Sequence, residues 1–179
     1  MNIKIEDGKI WGLLTDLNLM LEYRTSLHLI PTSIGTVPHA HMQKEILGPP
    51  FVYNSEQMQY LHECGRLNLY QNVESNFRYR VFKYFTDMGK YLGNGGKFGC
   101  DYLVYEGDPL VTHAKYMLVI AQEFNATRLI QLGRLSNSSL KDLIVAYEEG
   151  SEIKVKKITW MPELSIGSEK PLTREKIRS

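Results

Sequence analysis

Apolar and charged residues alternate at the start of the chain. Ile3 and Ile5 lie between polar neighbours, Gly8 permits a turn, and Lys9-Ile10-Trp11-Gly12 follows. A period of two broken by glycine predicts a β-hairpin. Thr15–Tyr23 is apolar enough for a short helix. Pro31, Gly35, Pro38, Gly48, Pro49 and Pro50 then mark a stretch that is mostly loop. Asn54-Ser55-Glu56-Gln57 predicts a helix start, with Asn54 as N-cap and Gln57 reaching back from the third position. Met58, Leu61 and Cys64 mark its buried stripe, Gly65 ends it, and Arg66–Tyr70 reads as a short strand.

A polar joint over Gln71–Arg78 separates this part from the next. Val81, Phe82, Phe85 and Met88 recur at helical spacing, and Gly89 stops the helix. Tyr91-Leu92 and Phe98–Tyr105 read as strands about a Gly93-Asn94-Gly95-Gly96 turn. Lys115–Phe124 is a further strand. Asn125 caps a helix through Leu132 that Gly133 closes. Asp142–Tyr147 and Glu152–Trp160 are strands joined by Glu148-Glu149-Gly150-Ser151. This order predicts an α+β protein. A small mixed α/β domain is expected over residues 1–75, a second sheet domain over 76–162, and a loosely ordered polar tail over 163–179.

Composition narrows the class. The 179 residues are 43% hydrophobic and 23% charged, ordinary for a soluble globular protein. No apolar run approaches the ~18 residues of a membrane span, and Met1–Asp7 lacks the apolar core of a secretory signal. Cys64 and Cys100 are expected to be buried thiols in a reducing compartment, and no metal-binding CxxC pair exists. The net charge of +1 is unevenly spread: residues 1–75 carry −3 and residues 76–179 carry +4. Arg78, Arg80, Lys83, Lys90 and Lys97 make one segment basic, which suits a phosphate-rich partner or, more plainly, a solvated helix face. A total of +1 argues against gripping long nucleic acid by charge alone.

The candidate chemistry lies further along. Tyr105 ends a strand, Gly107 and Pro109 make the following loop short and stiff, and His113 stands just beyond it. Lys141 heads a later apolar run. Each alone has a plain structural role: strand-end packing for Tyr105, a surface or capping position for His113, a charge at a strand start for Lys141. Together, a tyrosine, a histidine and a lysine can cleave RNA without a metal. Asp108 is expected to cap the turn and Asp101 to brace the loop before it, because aspartate bonds nearby amides.

Lys97-Phe98-Gly99, Asp101, Val104-Tyr105, Gly107-Asp108-Pro109-Leu110, His113, Gly133-Arg134-Leu135 and Lys141 form an ordered series. In that series the chain resembles the catalytic subunits of tRNA-splicing endonucleases, most closely the smaller eukaryotic catalytic subunit assigned to the 3′ splice site. The resemblance covers residues 79–160 well and Asn54–Tyr70 weakly. It implies a restriction-endonuclease-like nuclease domain with a central mixed sheet. It also implies that Tyr105 draws off or orients the 2′-hydroxyl proton, His113 acts as general acid, and Lys141 offsets transition-state charge. A cation such as Lys141 would lower the Tyr105 pKa toward use as a base. Lys97 and Arg134 are implied as RNA contacts. Products would carry a 2′,3′-cyclic phosphate and a 5′-hydroxyl, with no metal and no cofactor. Implied partners are precursor tRNA and either other endonuclease subunits or further copies of the chain, with no membrane and a nuclear location; the cytoplasm or an organelle surface are alternatives. Relatives often carry arginine just before the lysine, where this chain has Leu140.

Three further features are weaker. His39-Ala40-His41 lacks a third metal ligand. Glu152-Ile153-Lys154 fits the acid-x-lysine signature of metal-dependent nucleases, with Asp101 or Asp108 as a second carboxylate. Glu148 and Glu149 read as a solvated hairpin tip or, in this family, an acidic assembly loop. A non-catalytic RNA-binding or structural subunit is the remaining alternative.

Overall fold

The computed structural model of the chain describes residues 1–6, 9–34, 46, 48–69, 75–121 and 125–159. They fall into two compact units. The first is Met1–Gly93 with Val104–His113, and the second is Asn94–Leu103 with the described residues from Ala114 onward. Residues that follow the polar joint therefore group with the N-terminal part. Long-range pairs within the first unit account for this: Arg24 with Asp108, Arg78 with Glu56, and the Tyr60 hydroxyl with Asp87.

In the first unit, β1 (Asn2–Glu6) and β2 (Lys9–Leu14) pair antiparallel with Ile5 opposite Ile10, as the alternation predicts. Helix α1 (Leu17–Leu27) starts at Asp16, whose carboxylate accepts from the Asn18 and Leu19 amides, and ends at His28 with φ 57°. It buries Met20, Tyr23 and Arg24. Strands β3 (Thr32–Ser33) and β4 (Phe51–Tyr53) complete an antiparallel sheet of order β1-β2-β4-β3. Helix α2 (Ser55–Glu63) carries the predicted capping box: Asn54 Oδ1 accepts from the Gln57 backbone amide at 2.9 Å, and Gln57 Oε1 accepts from the Asn54 backbone amide at 3.0 Å.

Met58 and Leu61 are buried as expected, but Cys64 is exposed. The helix ends at Glu63 and the chain turns at Gly65 (φ 68°), so Cys64 leaves the buried face. The strand expected at Arg66–Tyr70 is not formed over residues 66–69; Tyr70 lies outside the described residues. The Arg66 amide instead returns to the Leu61 carbonyl at 2.9 Å, which closes the helix exit.

Helix α3 (Phe77–Asp87) starts at Asn76, whose side chain accepts from the Tyr79 amide, and buries Val81, Phe82 and Phe85. Met88 is the C-cap and is exposed, because the helix stops before it can rejoin the stripe. Ion pairs blunt the basic segment: Arg78 meets Glu56 at 3.0 Å, and Lys83 meets Asp87 at 3.3 Å and Glu63 at 3.4 Å. That favours the solvated-face reading over a free phosphate patch.

A second sheet has the order β5-β6-β7-β8-β9, from β5 (Tyr91–Asn94), β6 (Tyr102–Tyr105), β7 (Tyr116–Ile120), β8 (Asp142–Glu149) and β9 (Glu152–Ile158). The sheet is mixed: β7 and β8 run parallel, while β8 and β9 are antiparallel. Parallel neighbours need a crossover, supplied by α4 (Ala126–Ser138). Leu143–Ala146 of β8 form a continuous buried run, the pattern of a strand covered on both faces.

Two expectations fail in the second unit. Phe98–Asp101 is not strand: Gly96–Phe98 make a 3-10 turn that ends at Gly99 with φ 64°. A Cβ on Gly95 would lie 2.6 Å from the Cys100 carbonyl oxygen, so this turn is built on glycine. Gly133 does not close α4, which runs on to Ser138 with Gly133 buried inside it. Glycine there costs helix propensity, but the buried position outweighs that preference.

Candidate active site

Tyr105 ends β6 in the first unit and is 5% exposed. Its ring packs so closely over Gly93 that a Cβ there would sit 3.1 Å from Cε2. Burial pushes the phenol above its ordinary pKa. Desolvation of the phenolate is the cause. As a neutral phenol, Tyr105 can hydrogen-bond a hydroxyl.

The loop from Tyr105 to His113 is organised around Asp108. Its Oδ1 accepts from the Leu110 amide at 2.8 Å. Its carbonyl accepts from the Val111 amide at 3.0 Å, the Thr112 amide at 2.9 Å and the Thr112 hydroxyl at 2.8 Å. The capping role expected of Asp108 is thus present. A second contact was not visible in the sequence: Arg24 of α1 grips both carboxylate oxygens, Nε to Oδ2 at 2.8 Å and an NH2 group to Oδ1 at 2.6 Å. Arg24 is 6% exposed. The guanidinium, with the Leu110 amide, holds the Asp108 carboxyl below the usual carboxylate range. His113 is exposed at the end of this turn.

Lys141 belongs to the second unit, and local backbone places it. Helix α4 ends at Ser138 with Ser139 as C-cap, Leu140 takes the left-handed conformation (φ 53°), and the Lys141 amide donates back to the Ser136 carbonyl at 2.9 Å. Lys141 Nζ donates to the Ser139 carbonyl at 3.0 Å and stands 5.2 Å from the centre of the Phe98 ring. A cavity of about 250 Å³ opens here, lined by Lys115, Ser136, Asn137, Leu140, Lys141 and Asp142. Lys115 and Lys141 bring two ammonium groups that suit an anionic group, while Asp142, paired with Lys157 at 2.9 Å, and the C-terminal end of α4 oppose one. Lys97 is exposed on the same turn as Phe98, and Arg134 is exposed on α4.

Asp101 braces its loop as expected, with Oδ2 accepting from the Ile120 amide at 2.8 Å. Glu152 and Lys154 pair with each other at 2.6 Å on the exposed strand β9. Among the described residues no group of three or more His, Cys, Asp or Glu side chains is arranged for a metal; His39 and His41 lie outside them. Arg24 and Lys115 were not singled out by the sequence, and Phe98, a member of the ordered series, had no role there. For Arg24 one signal existed: it stands four residues after Met20, on the buried stripe of α1.

Helices with a mixed five-stranded sheet make an α+β architecture, compatible with a nuclease fold. Residues 76–159 match the model of the tRNA intron endonuclease catalytic C-terminal domain. The chain is similar to the tRNA-splicing endonuclease subunit Sen34 of Mus musculus, with 40% identity over 74 residues, covering 38% of this chain and 22% of that protein. It is similar to the probable tRNA-splicing endonuclease subunit sen34 of Schizosaccharomyces pombe, 35% identical over 81 residues, covering 44% and 28%. A tRNA-splicing endonuclease of Saccharolobus islandicus is 27% identical over 122 residues, 65% of each chain. The matches therefore span less than two thirds of these relatives' lengths, from 22% to 65%.

Proposed function

We propose that the chain is a catalytic subunit of a tRNA-splicing endonuclease that excises introns from precursor tRNA, of the type that cuts the 3′ splice site. The observation that carries this is the Asp108-centred turn joining Tyr105 to His113 inside a segment matched to the catalytic domain. The reading assigns that segment, with residues to 162, to a restriction-endonuclease-like catalytic domain. It assigns residues 1–75 to a separate N-terminal domain.

In this reading the substrate's 2′-hydroxyl attacks the adjacent phosphorus. Tyr105, a neutral phenol, orients that hydroxyl, and its proton passes to solvent. His113 in its imidazolium form protonates the departing 5′ oxygen. Lys141 offsets the charge gathering on the phosphorane. The products carry a 2′,3′-cyclic phosphate and a 5′-hydroxyl, and atoms balance without metal or cofactor. Lys97 and Arg134 contact RNA. The chain acts with other endonuclease subunits or with further copies of itself, in the nucleus. The names of the mouse and fission-yeast relatives, both subunits, support the partnered form.

Cleavage of an intron-bearing precursor by the assembled enzyme tests this. Cutting is expected to survive excess EDTA and to vanish in His113→Ala with assembly intact. Full activity of that variant, or loss of wild-type activity in EDTA, overturns the mechanism.

A further inference from the structure

We propose that Arg24 is a positioning residue for the reaction, holding through Asp108 the turn that sets Tyr105 and His113 relative to one another. This rests on the reading of those two side chains as the reacting ones. Arg24 and Asp108 are 84 residues apart in sequence and belong to the same compact unit.

Three observations carry the assignment. The contact is a two-point fork, which fixes the carboxylate's orientation as well as its distance. Asp108 is also the hub of the turn: the amides of Leu110, Val111 and Thr112 and the Thr112 hydroxyl all donate to it. Fixing that one residue therefore fixes the path from Tyr105 to His113. Finally, Arg24 is buried on the apolar stripe of α1, where a guanidinium carries a desolvation cost that a solvent-exposed turn cap would avoid. The Leu110 amide already supplies the cap, so Arg24 adds rigidity between α1 and the turn. Misplacement of reacting groups by about 1 Å can cost about 100-fold in rate, so such rigidity bears on catalysis directly.

The test has two arms, both on the full chain. In the first, amide hydrogen exchange is read without any substrate. Arg24→Met is expected to speed exchange at Leu110, Val111 and Thr112 about tenfold or more, with Val119 and Val145 unchanged. Unchanged protection at the three turn amides overturns the clamp. In the second arm, precursor cleavage by the assembled enzyme is measured well below the melting temperature. Arg24→Met is expected to lower kcat about 10–100-fold with KM within about twofold. Arg24→Lys should fall between, and Arg24→Met with Asp108→Asn should be no worse than the worse single variant, as for two parts of one device. Unchanged kcat in Arg24→Met, in an enzyme that His113→Ala inactivates, overturns the positioning role. Full activity of His113→Ala instead refutes the assignment of the reacting side chains, and the exchange arm still decides whether the clamp exists.

Discussion

The two units hold their candidate functional groups by opposite means. In the first, the turn carrying Tyr105 and His113 depends on a side chain from a helix 84 residues earlier. In the second, Lys141 is set by the residues immediately before it: a helix C-cap, one left-handed residue and an amide returned to Ser136. Long-range fixation gives rigidity at the cost of dependence on distant packing. Local fixation tolerates change elsewhere but leaves strain in the backbone, at Leu140.

The candidate reacting side chains are the most sensitive positions in both units. His113→Ala is expected to lower kcat about 10²–10⁴-fold, and Lys141→Ala about 10²–10³-fold by loss of charge stabilisation, both read in single-turnover cleavage. If only one of them matters, the two units do not contribute to one reaction. Next in size, Arg24→Met leaves a carboxylate without its cation and should cost about 2–3 kcal/mol in urea unfolding. Gly95→Ala forces a Cβ to within 2.6 Å of backbone and should cost about 1–3 kcal/mol by overpacking. A loss under 0.5 kcal/mol in either would show that its unit holds its turn some other way.

A pH series sharpens the first unit's side of the contrast. The Asp108 carboxyl is held below its ordinary value by Arg24. Its contribution is therefore complete above about pH 4 and is lost as pH falls through the lowered folded value. Wild type should lose stability more steeply below about pH 4 than Asp108→Asn, measured as the urea midpoint. Equal slopes would remove Asp108 as a linked group. The smallest effect is expected at Leu140. Relieving left-handed strain recovers about 1–2 kcal/mol, while the freedom glycine gains on unfolding returns about 0.5–1 kcal/mol. Leu140→Gly should therefore be stabilising by up to about 1 kcal/mol, and a clear loss of stability would mean the exposed leucine packs against something.

What the sequence made legible was the local chemistry. The Asn54–Gln57 box, the Asn125 cap and the Asp108 turn are all set within a few residues, and all are present. Expectations failed where glycine has two uses. Gly99 takes a left-handed conformation that ends a 3-10 turn and removes strand from Phe98–Asp101, whereas Gly133, expected to stop a helix, sits buried within one. Period and propensity do not separate a glycine chosen for backbone conformation from one chosen for lack of volume. The ordered series from Lys97 to Lys141 was enough to indicate the family that residues 76–159 match. Arg24 escaped because its partner is defined only by the folded chain; a charge on an apolar stripe says that something pairs with it, not what.

The Arg24–Asp108 contact also bears on how far the catalytic segment is transferable. A fragment or fusion cut at residue 76 would keep Tyr105, His113 and Lys141 and every member of the ordered series around them. It would lose the guanidinium that orders the turn between the first two. In exchanges between relatives, the unit of inheritance is then larger than the matched domain: α1 must travel with the turn, or the recipient must offer its own cation at that place.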